Sequence, residues 1–349
     1  MEGKEDEAKT YFGDIEEIED EIDKRFRKLK NFNKVERPPV DHHYFFSSIK
    51  QSQQQGFRGD LSCIAQQSQR QRFLGENLGS FLHKHKTREG NRFGARIRKE
   101  WEILEAGLPD TIFVTVYDSR VDLMRACIVG LEGTPYCYGL FFFDIQFPTG
   151  YPAKPHNIYY HSHDFDLSPD LHRDGSVSLK LGLVDGSWKN PEESNILQVL
   201  LWIQRAILNS KPYIGRSLGF SLRKCQDNSS LKTEKEVFIL SCKNVLHTLR
   251  YQPRDFEVLV RGHFRKWAHR ILLIYKDQMQ VHPHNEAMEQ LFYKLVEAFE
   301  ANGAYCQHHY INQMVNKAIN KAPENGQDKQ QVAPSLVGKL KDLFDSFEI

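Results

Sequence analysis

The chain has 349 residues, of which 40% are hydrophobic and 12% aromatic, so it can bury a sizeable core. Its 47 basic and 46 acidic side chains nearly cancel, which leaves no overall field that would attract nucleic acid or an acidic membrane. The six cysteines form no C-x-x-C pair, and their spacing suits neither a zinc ribbon nor a dense disulfide framework. No apolar stretch has the length of a membrane span, and the acidic start does not resemble a secretory or mitochondrial leader. We therefore expect a cytoplasmic or nuclear protein.

Residues 1–93 are predicted to form a flexible arm. The segment starts with an acidic run, continues into a basic segment over 24–45, and is rich in Gln and Ser over 51–75. Such compositions bury too little apolar surface to offset the loss of chain entropy on folding. The spacing across 15–22 also fits a short helix, but a solvated acidic tail is the preferred interpretation.

Order is expected from Gly94, where residues 94–110 predict an amphipathic helix. Apolar residues recur among charges at helical spacing, and Gly107 and Pro109 mark the end. Runs of β-branched and aromatic residues, separated by turn-formers, then predict four strands. The strands are predicted over 111–118, 125–131, 140–147 and 157–162. One helix followed by a four-stranded antiparallel meander is an α+β arrangement.

Residues 161–195 have little periodicity and many turn-formers, and a long irregular stretch inside a compact pattern is usually functional. Four helical patterns follow, the first with Ser194 or Asn195 as its N-cap and the last broken near Gly303. They cover 195–210, 235–251, 253–279 and 284–319. We divide the chain into the arm at 1–93, a core at 94–250, a helical extension at 251–320, and a linker with an amphipathic tail at 321–349.

The segment 133–155, GTPYCYGLFFFDIQFPTGYPAKP, combines a turn, an apolar strand and prolines at fixed spacing. It resembles the hairpin and proline segment of the ubiquitin-conjugating (E2) family. Segments 98–148 and 197–213 are most similar to the large plant E2s and their hybrid E2/E3 relatives, and 255–272 resembles the helical extension of that group. The resemblance implies a UBC fold, with an N-terminal helix, a four-stranded antiparallel meander and C-terminal helices. The matching positions in 133–155 are Gly133, Thr134, Pro135, Tyr136, Gly139, Phe141, Phe147, Pro148, Tyr151, Pro152 and Pro155.

The chemistry that the resemblance implies is ubiquitin transfer through a cysteine thioester. In the family, the asparagine of a His-Pro-Asn motif stabilises the oxyanion and precedes the cysteine by eight residues. Here Ser178 stands at the cysteine position, Asp170 at the asparagine position and Ser168 at the histidine position. A hydroxyl is a weaker nucleophile than a thiolate, and a carboxylate only accepts hydrogen bonds. The three substitutions together predict a catalytically defective site.

Other interpretations of this site are weighed against that one. Cys127 and Cys137 fall on a strand and in a hairpin turn, so they are interpreted as small buried or semi-buried thiols. An engineered Cys-to-Ser change would explain Ser178 but not the other two substitutions, so a naturally degenerate site is favoured. Neighbouring histidines and aspartates would allow a Ser-His-Asp arrangement, but no G-x-S-x-G pattern surrounds Ser178. The same side chains could bind zinc, but a solvated polar loop is the preferred interpretation. These neighbours are His161, His163, His172, Asp164, Asp166 and Asp174.

The resemblance also implies surfaces for protein partners. Arg96, Arg98 and Lys99 lie on the first helix, where basic residues of the family meet the activating enzyme, although a solvated helix face explains them equally well. Ala153 replaces the aromatic residue of the ligase-facing proline turn, which predicts a weak grip there. The second ligase-facing loop contains Trp188, interpreted as a packing residue, and Pro191.

Three functions fit these features. The preferred one is a regulatory binding module of the ubiquitin pathway, with ubiquitin, the activating enzyme, a ligase or another E2 as protein partners. The second is an active or weakly active conjugating enzyme, including a trapped Cys-to-Ser form. The third is an interaction scaffold that keeps only the fold. None requires a cofactor or a metal. A membrane is not an expected partner. Nucleic acid is not expected either, because the basic, aromatic run 263–270 is interpreted as a solvated helix face.

Overall fold

The computed structural model describes residues 20–46, 88–179, 194–209, 233–281, 285–306 and 309. The predictions for Trp188, Pro191, the linker and the tail helix lie outside the described residues, as do those for residues 1–19 and 47–87 of the arm.

The described part of the chain contains six α-helices and five β-strands. The helices are α1 (Glu21–Arg27), α2 (Arg88–Gly107), α3 (Ile196–Trp202, continued by a π-helical turn over Ile203–Ile207), α4 (Glu234–Arg250), α5 (Glu257–Val281) and α6 (Glu286–Ala301). The strands are β1 (Phe32–Val35), β2 (Ile112–Tyr117), β3 (Leu123–Val129), β4 (Leu140–Gln146) and β5 (Asn157–Tyr160).

The strands form one sheet in the order β1-β2-β3-β4-β5. Strands β2 to β5 pair antiparallel between sequence neighbours, so the predicted meander is confirmed. Strand β1 adds a fifth member that the sequence did not predict, and it pairs parallel to β2 with Phe32 opposite Val114. The α+β class predicted from the sequence is confirmed.

Residues 20–46 depart from the prediction of a flexible arm. Asp20 caps α1 by accepting hydrogen bonds from the backbone N–H groups of Ile22 and Asp23. Asn31 donates to the carbonyl oxygens of Pro109 and Ile112, which fixes the chain beside β2. The prediction failed because it counted apolar residues within the segment alone, whereas this segment is ordered by partners far away in the sequence.

The sheet is covered on both faces. Successive residues of a strand point to opposite sides. Met124, Ala126 and Ile128 of β3 therefore join one core, with α2 and α3, while Cys127 and Val129 join a second core. Helices α4, α5 and α6 build that second core. The helices assigned to an extension beyond residue 250 thus share their packing with the sheet.

Local signals place several helix ends. Asn195 caps α3 with a reciprocal capping box, as one of the two predicted candidates, and Thr233 does the same for α4. Helix α6 ends at Ala301, next to the predicted break at Gly303. Helix α2 begins at Arg88, six residues before the predicted start. Over the described residues, no helix combines the length and apolarity that a bilayer crossing requires.

Candidate functional site

The candidate site lies in the irregular stretch that follows β5. Three hydrogen bonds order this stretch, one to the rest of the fold and two within the stretch itself. The Tyr136 hydroxyl donates to the carbonyl oxygen of Leu167 at 2.8 Å, and the Ser162 hydroxyl donates to that of Arg173 at 2.6 Å. The Arg173 Nε donates to the carbonyl oxygen of Asp164 at 3.0 Å. These bonds hold the loop without any contribution from the candidate catalytic positions.

Residues 168–178 fold as a short β-hairpin. Leu171 and Val177 pair as an antiparallel bridge, and the Ser178 N–H donates to the carbonyl oxygen of Asp170 at 2.8 Å. Leu171 is fully buried and Val177 packs against the same core. The apolar pair anchors the hairpin, and the backbone bond holds Asp170 and Ser178 opposite each other.

The turn of the hairpin packs against β5. Tyr160 N–H donates to the carbonyl oxygen of Gly175 at 2.7 Å, and Tyr159 pairs with Ser176. Gly175 has a φ of +85°, and a Cβ atom there would lie 2.1 Å from the Tyr159 ring. The N-terminal segment supports the same strand, because the ring of His43 stacks on Tyr159 with centroids 3.6 Å apart.

One face of the hairpin carries the polar candidates. Alternation along the two strands places the neighbours of Leu171 and Val177 on the opposite, outward side. On this side the Ser178 hydroxyl lies 2.8 Å from Nε2 of His172. Ser178 is half-buried and His172 is exposed. The residues on this outward face are Asp170, His172, Ser176 and Ser178.

His172 lacks the third member of a catalytic triad among the residues that the structure describes, since no hydrogen bond or ion pair joins it to a carboxylate there. The nearby Asp174 is engaged by Ser176, whose hydroxyl and backbone N–H donate to Oδ1 at 2.7 Å and 2.9 Å. Those bonds, first the one from the hydroxyl, hold the pKa of Asp174 below its usual range. A Ser-His contact is therefore present without an orienting acid.

The other two histidines considered for Ser178 are engaged elsewhere. His161 Nε2 lies 3.0 Å from Oδ2 of Asp144, and His163 stacks on His247 with centroids 3.8 Å apart. Burial lowers the pKa of His163 to about 3, so it stays neutral. Across the described ranges, no group of three or more His, Cys, Asp and Glu is placed to bind a metal ion.

Ser168 has a supporting position. It is buried, and its hydroxyl accepts a hydrogen bond from the Asp170 N–H at 3.4 Å. Its carbonyl oxygen accepts another from Leu171 N–H at 3.0 Å. The side chain at the predicted histidine position thus stabilises the start of the hairpin.

None of the described cysteines offers a substitute nucleophile. Cys127 is fully buried on β3, and burial raises its thiol pKa well above the usual value. Burial, with the nearby Glu132, raises the pKa of Cys137 to about 11. Burial also raises the thiol pKa values of Cys242 and Cys306. All four stay protonated near neutral pH, and a protonated thiol is a poor nucleophile.

The predicted partner residues differ in accessibility. Arg98 and Lys99 are exposed on α2, and Ala153 is exposed in the proline turn. Arg96 is engaged within the fold, because its guanidinium donates to the carbonyl oxygen of Ser194 at 3.1 Å and lies 3.2 Å from Glu100. Arg96 therefore has a structural role that its place in a basic helix pattern did not reveal.

The contact between His172 and Ser178 was only one of several combinations that the sequence allowed. A signal for it existed in the RDGS turn at residues 173–176. A hairpin turning there, with Leu171 facing the core, puts residues 170, 172, 176 and 178 on one face. The register of the turn, and not the composition of the loop, selects His172 over the other histidines.

Comparison with known proteins agrees with this architecture. Residues 96–230 match the family model described as ubiquitin-conjugating enzyme. The putative ubiquitin-conjugating enzyme E2 38 of Arabidopsis thaliana is 43% identical over 185 residues, which cover 51% of this chain and 56% of that protein. The probable ubiquitin-conjugating enzyme E2 25 of the same plant is 45% identical over 184 residues, which cover 51% of this chain and 30% of that protein.

The chain therefore spans less than two thirds of the length of either plant relative. Among solved structures, a Plasmodium vivax ubiquitin conjugating enzyme E2 is 24% identical, with a TM-score of 0.26, covering 30% of this chain and 96% of that chain. Residues 96–230 therefore form a domain of the ubiquitin-conjugating enzyme family.

Proposed function

We propose that this protein is an E2-like member of the ubiquitin pathway that forms no catalytic thioester and acts as a regulatory binding module for ubiquitin, another E2 or a ligase. One observation carries the proposal. The hairpin is fully built and anchored, yet its outward face presents Ser178 and Asp170 at the positions where the family resemblance implies a cysteine and an asparagine.

Two physical effects oppose catalysis at this face. A hydroxyl is almost entirely protonated near neutral pH and attacks far more slowly than a thiolate. A carboxylate at position 170 cannot donate to a developing oxyanion, and its charge repels that anion. Losing one oxyanion donor alone typically lowers the rate roughly a hundred- to a thousandfold.

A second candidate function is favoured by one contact, the 2.8 Å separation of His172 Nε2 and Ser178 Oγ. With Nε2 unprotonated, His172 accepts the hydroxyl proton while Ser178 Oγ attacks the thioester carbonyl of ubiquitin on its activating enzyme. The carbon–sulfur bond breaks, the proton passes to the departing thiolate, and ubiquitin remains as an oxyester on Ser178. This route makes the protein a slow acceptor instead of an inert module.

A charging assay separates the two candidates. The full chain is incubated with ubiquitin, activating enzyme and ATP, and products are resolved with thiol, with hydroxide and without either. The proposal expects no adduct. A thiol-labile adduct would contradict it, and a thiol-stable adduct that hydroxide cleaves and that His172→Ala abolishes would establish the oxyester route.

A matched pair of variants tests whether the scaffold retains its partner surfaces. Ser178→Cys with Asp170→Asn restores both implied groups, whereas Ser176→Cys with Asp170→Asn puts the same thiol two residues away on the same face. We expect a thiol-labile adduct only from the first. If neither variant is charged, the surface for the activating enzyme has been lost as well.

Binding is measured directly by titrating isotope-labelled ubiquitin, and then a panel of E2s, with the unaltered chain in NMR experiments. The proposal expects localised shifts with at least one of them. Unchanged spectra throughout would favour a scaffold that is independent of ubiquitin and would refute the proposed module.

A further inference from the structure

A groove of about 770 Å³ opens between α4, α5 and α6. Its apolar part comes from Leu246, Leu249 and Ala298. Its polar part holds three cations and a single carboxylate. These polar residues are Arg250, Arg261, Lys294 and Glu297.

The groove has an unbalanced positive charge. Within the described residues, Arg250, Arg261 and Lys294 form no ion pair, and the Arg250 guanidinium lies 6.0 Å from the ring centre of Tyr251. Glu297 offsets one of the three charges. A concave surface with excess cations and apolar walls suits an acidic segment that also carries apolar side chains.

The first described residue of the N-terminal segment lies near this groove. Asp20, the first described residue, lies 2.7 Å from Arg265 Nη1. Arg265 Nε donates to the carbonyl oxygen of Asn302 at 2.7 Å, and Asn302 Nδ2 donates to that of Arg261 at 2.9 Å. Asn302 and Arg261 both line the groove. Arg265 therefore contacts both Asp20 and the wall of the groove.

We propose that residues 14–19 of the same chain bind in this groove. Their sequence, DIEEIE, has four carboxylates, no cation and two isoleucines. Six extended residues span at most about 20 Å, so the segment can reach across the groove from Asp20. Tethering gives a short segment a local concentration of the order of millimolar, so weak ion pairs are sufficient. The inference does not depend on the function proposed for the hairpin.

Photo-cross-linking of the full chain tests the proposal. Ile15 is replaced by photoreactive p-benzoylphenylalanine, the protein is irradiated, and cross-linked peptides are mapped by mass spectrometry. An equal mixture of ¹⁴N and ¹⁵N chains distinguishes links within one chain from links between copies. We expect links to the lining residues of α4, α5 and α6 within single chains.

Charge variants test the physical basis. An exposed ion pair changes an equilibrium about 1.4- to 5-fold, so Arg261→Gln with Lys294→Gln should lower the cross-link yield about 2- to 25-fold. Lys243→Gln with Arg254→Gln removes the same charge outside the groove and should leave the yield nearly unchanged. Replacing Asp14, Glu16, Glu17 and Glu19 by their amides should reproduce the loss without altering any described residue.

Each remaining outcome overturns the proposal. Links outside the groove would place the segment elsewhere, and links of mixed isotope composition would assign the groove to a second copy. Equal yields from the groove variant and its control, with unchanged thermal stability, would remove the electrostatic basis. The absence of any link to the groove would leave that surface to an acidic partner protein, which is a different function.

Discussion

The buried ion pair between Arg125 and Asp144 gives the strongest prediction about stability. Nε of Arg125 lies 2.6 Å from Oδ1 of Asp144, Nη2 lies 3.0 Å from Oδ2, and both side chains are fully buried. Although burial opposes its ionisation, bonds from His161 and Arg125 hold the pKa of Asp144 well below its usual range. Asp144→Asn would remove the fully buried charge partner of Arg125 and leave it Asp41, whose carboxylate lies 3.3 Å from Nη1 and is 51% exposed.

The expected loss follows from that geometry. Removing one partner of a buried ion pair costs about 3–5 kcal/mol. For domains of about 150–250 residues, each kcal/mol lowers Tm by about 2–4 °C, so a decrease of roughly 6–20 °C is expected. The matched control is Asp118→Asn, because Asp118 and Lys34 form an ion pair of 2.9 Å with both side chains 51% exposed. That substitution should cost no more than about 1 kcal/mol.

Thermal unfolding followed by fluorescence measures both variants, and hydrogen exchange adds a local readout. Asp144 Oδ2 accepts a hydrogen bond from the His43 N–H at 2.7 Å, so Asp144→Asn should also speed exchange around residue 43. If Asp144→Asn costs no more than Asp118→Asn, the buried pair does not hold the N-terminal segment on the sheet and the reasoning is refuted.

Three further predictions concern acid stability and close packing. The free energy of unfolding should fall as the pH drops from about 6.5 to about 4, by up to about 1.4 kcal/mol per pH unit for each buried histidine. The reason is that these histidines bind protons more tightly in the unfolded chain than in the folded protein. Urea midpoints across that range would measure it, and a flat profile would contradict it. Burial lowers the pKa to about 4 for His42, His156 and His263. Gly262→Ala places a Cβ 2.2 Å from the Phe26 ring and should release α1 from α5, seen as faster hydrogen exchange in α1 but not in α3. Gly175→Ala should lower Tm through its clash with Tyr159 and its positive φ, whereas Gly133→Ala, with φ +79° and no atom within 4 Å, should lower Tm less.

The sequence predicted the elements whose signals are local. Helix α2, the antiparallel meander and the Asn195 cap were all readable from periodicity and end signals. Strands β3 and β4 read LMRACIV and LFFFDIQ, nearly continuous apolar runs in place of alternation. Such runs indicate burial on both faces, so the second layer of helices also had a sequence signal.

The structural features that could not be predicted from the sequence depend on contacts between residues far apart in the chain. Strand β1 has only four residues, and its pairing with β2 joins positions such as Asn33 and Thr115 that lie far apart in the chain. The charged residues 125 and 144 interrupt apolar strands and gave no sign of their pairing. At the candidate site, the substitutions could be found by position alone, whereas the contact between His172 and Ser178 required the register of the hairpin.

The two-sided sheet has a practical consequence for how this protein is divided. The family match ends at residue 230, ahead of α4, so a fragment cut there would lose α4, α5 and α6, which build the second core among the described residues. It would expose a continuous apolar wall formed by Cys127, Val129, Leu140 and Phe142. Exposed walls of this kind drive aggregation. The range that the family model matches is therefore shorter than the unit that should fold on its own. The smallest soluble fragment should extend through α6.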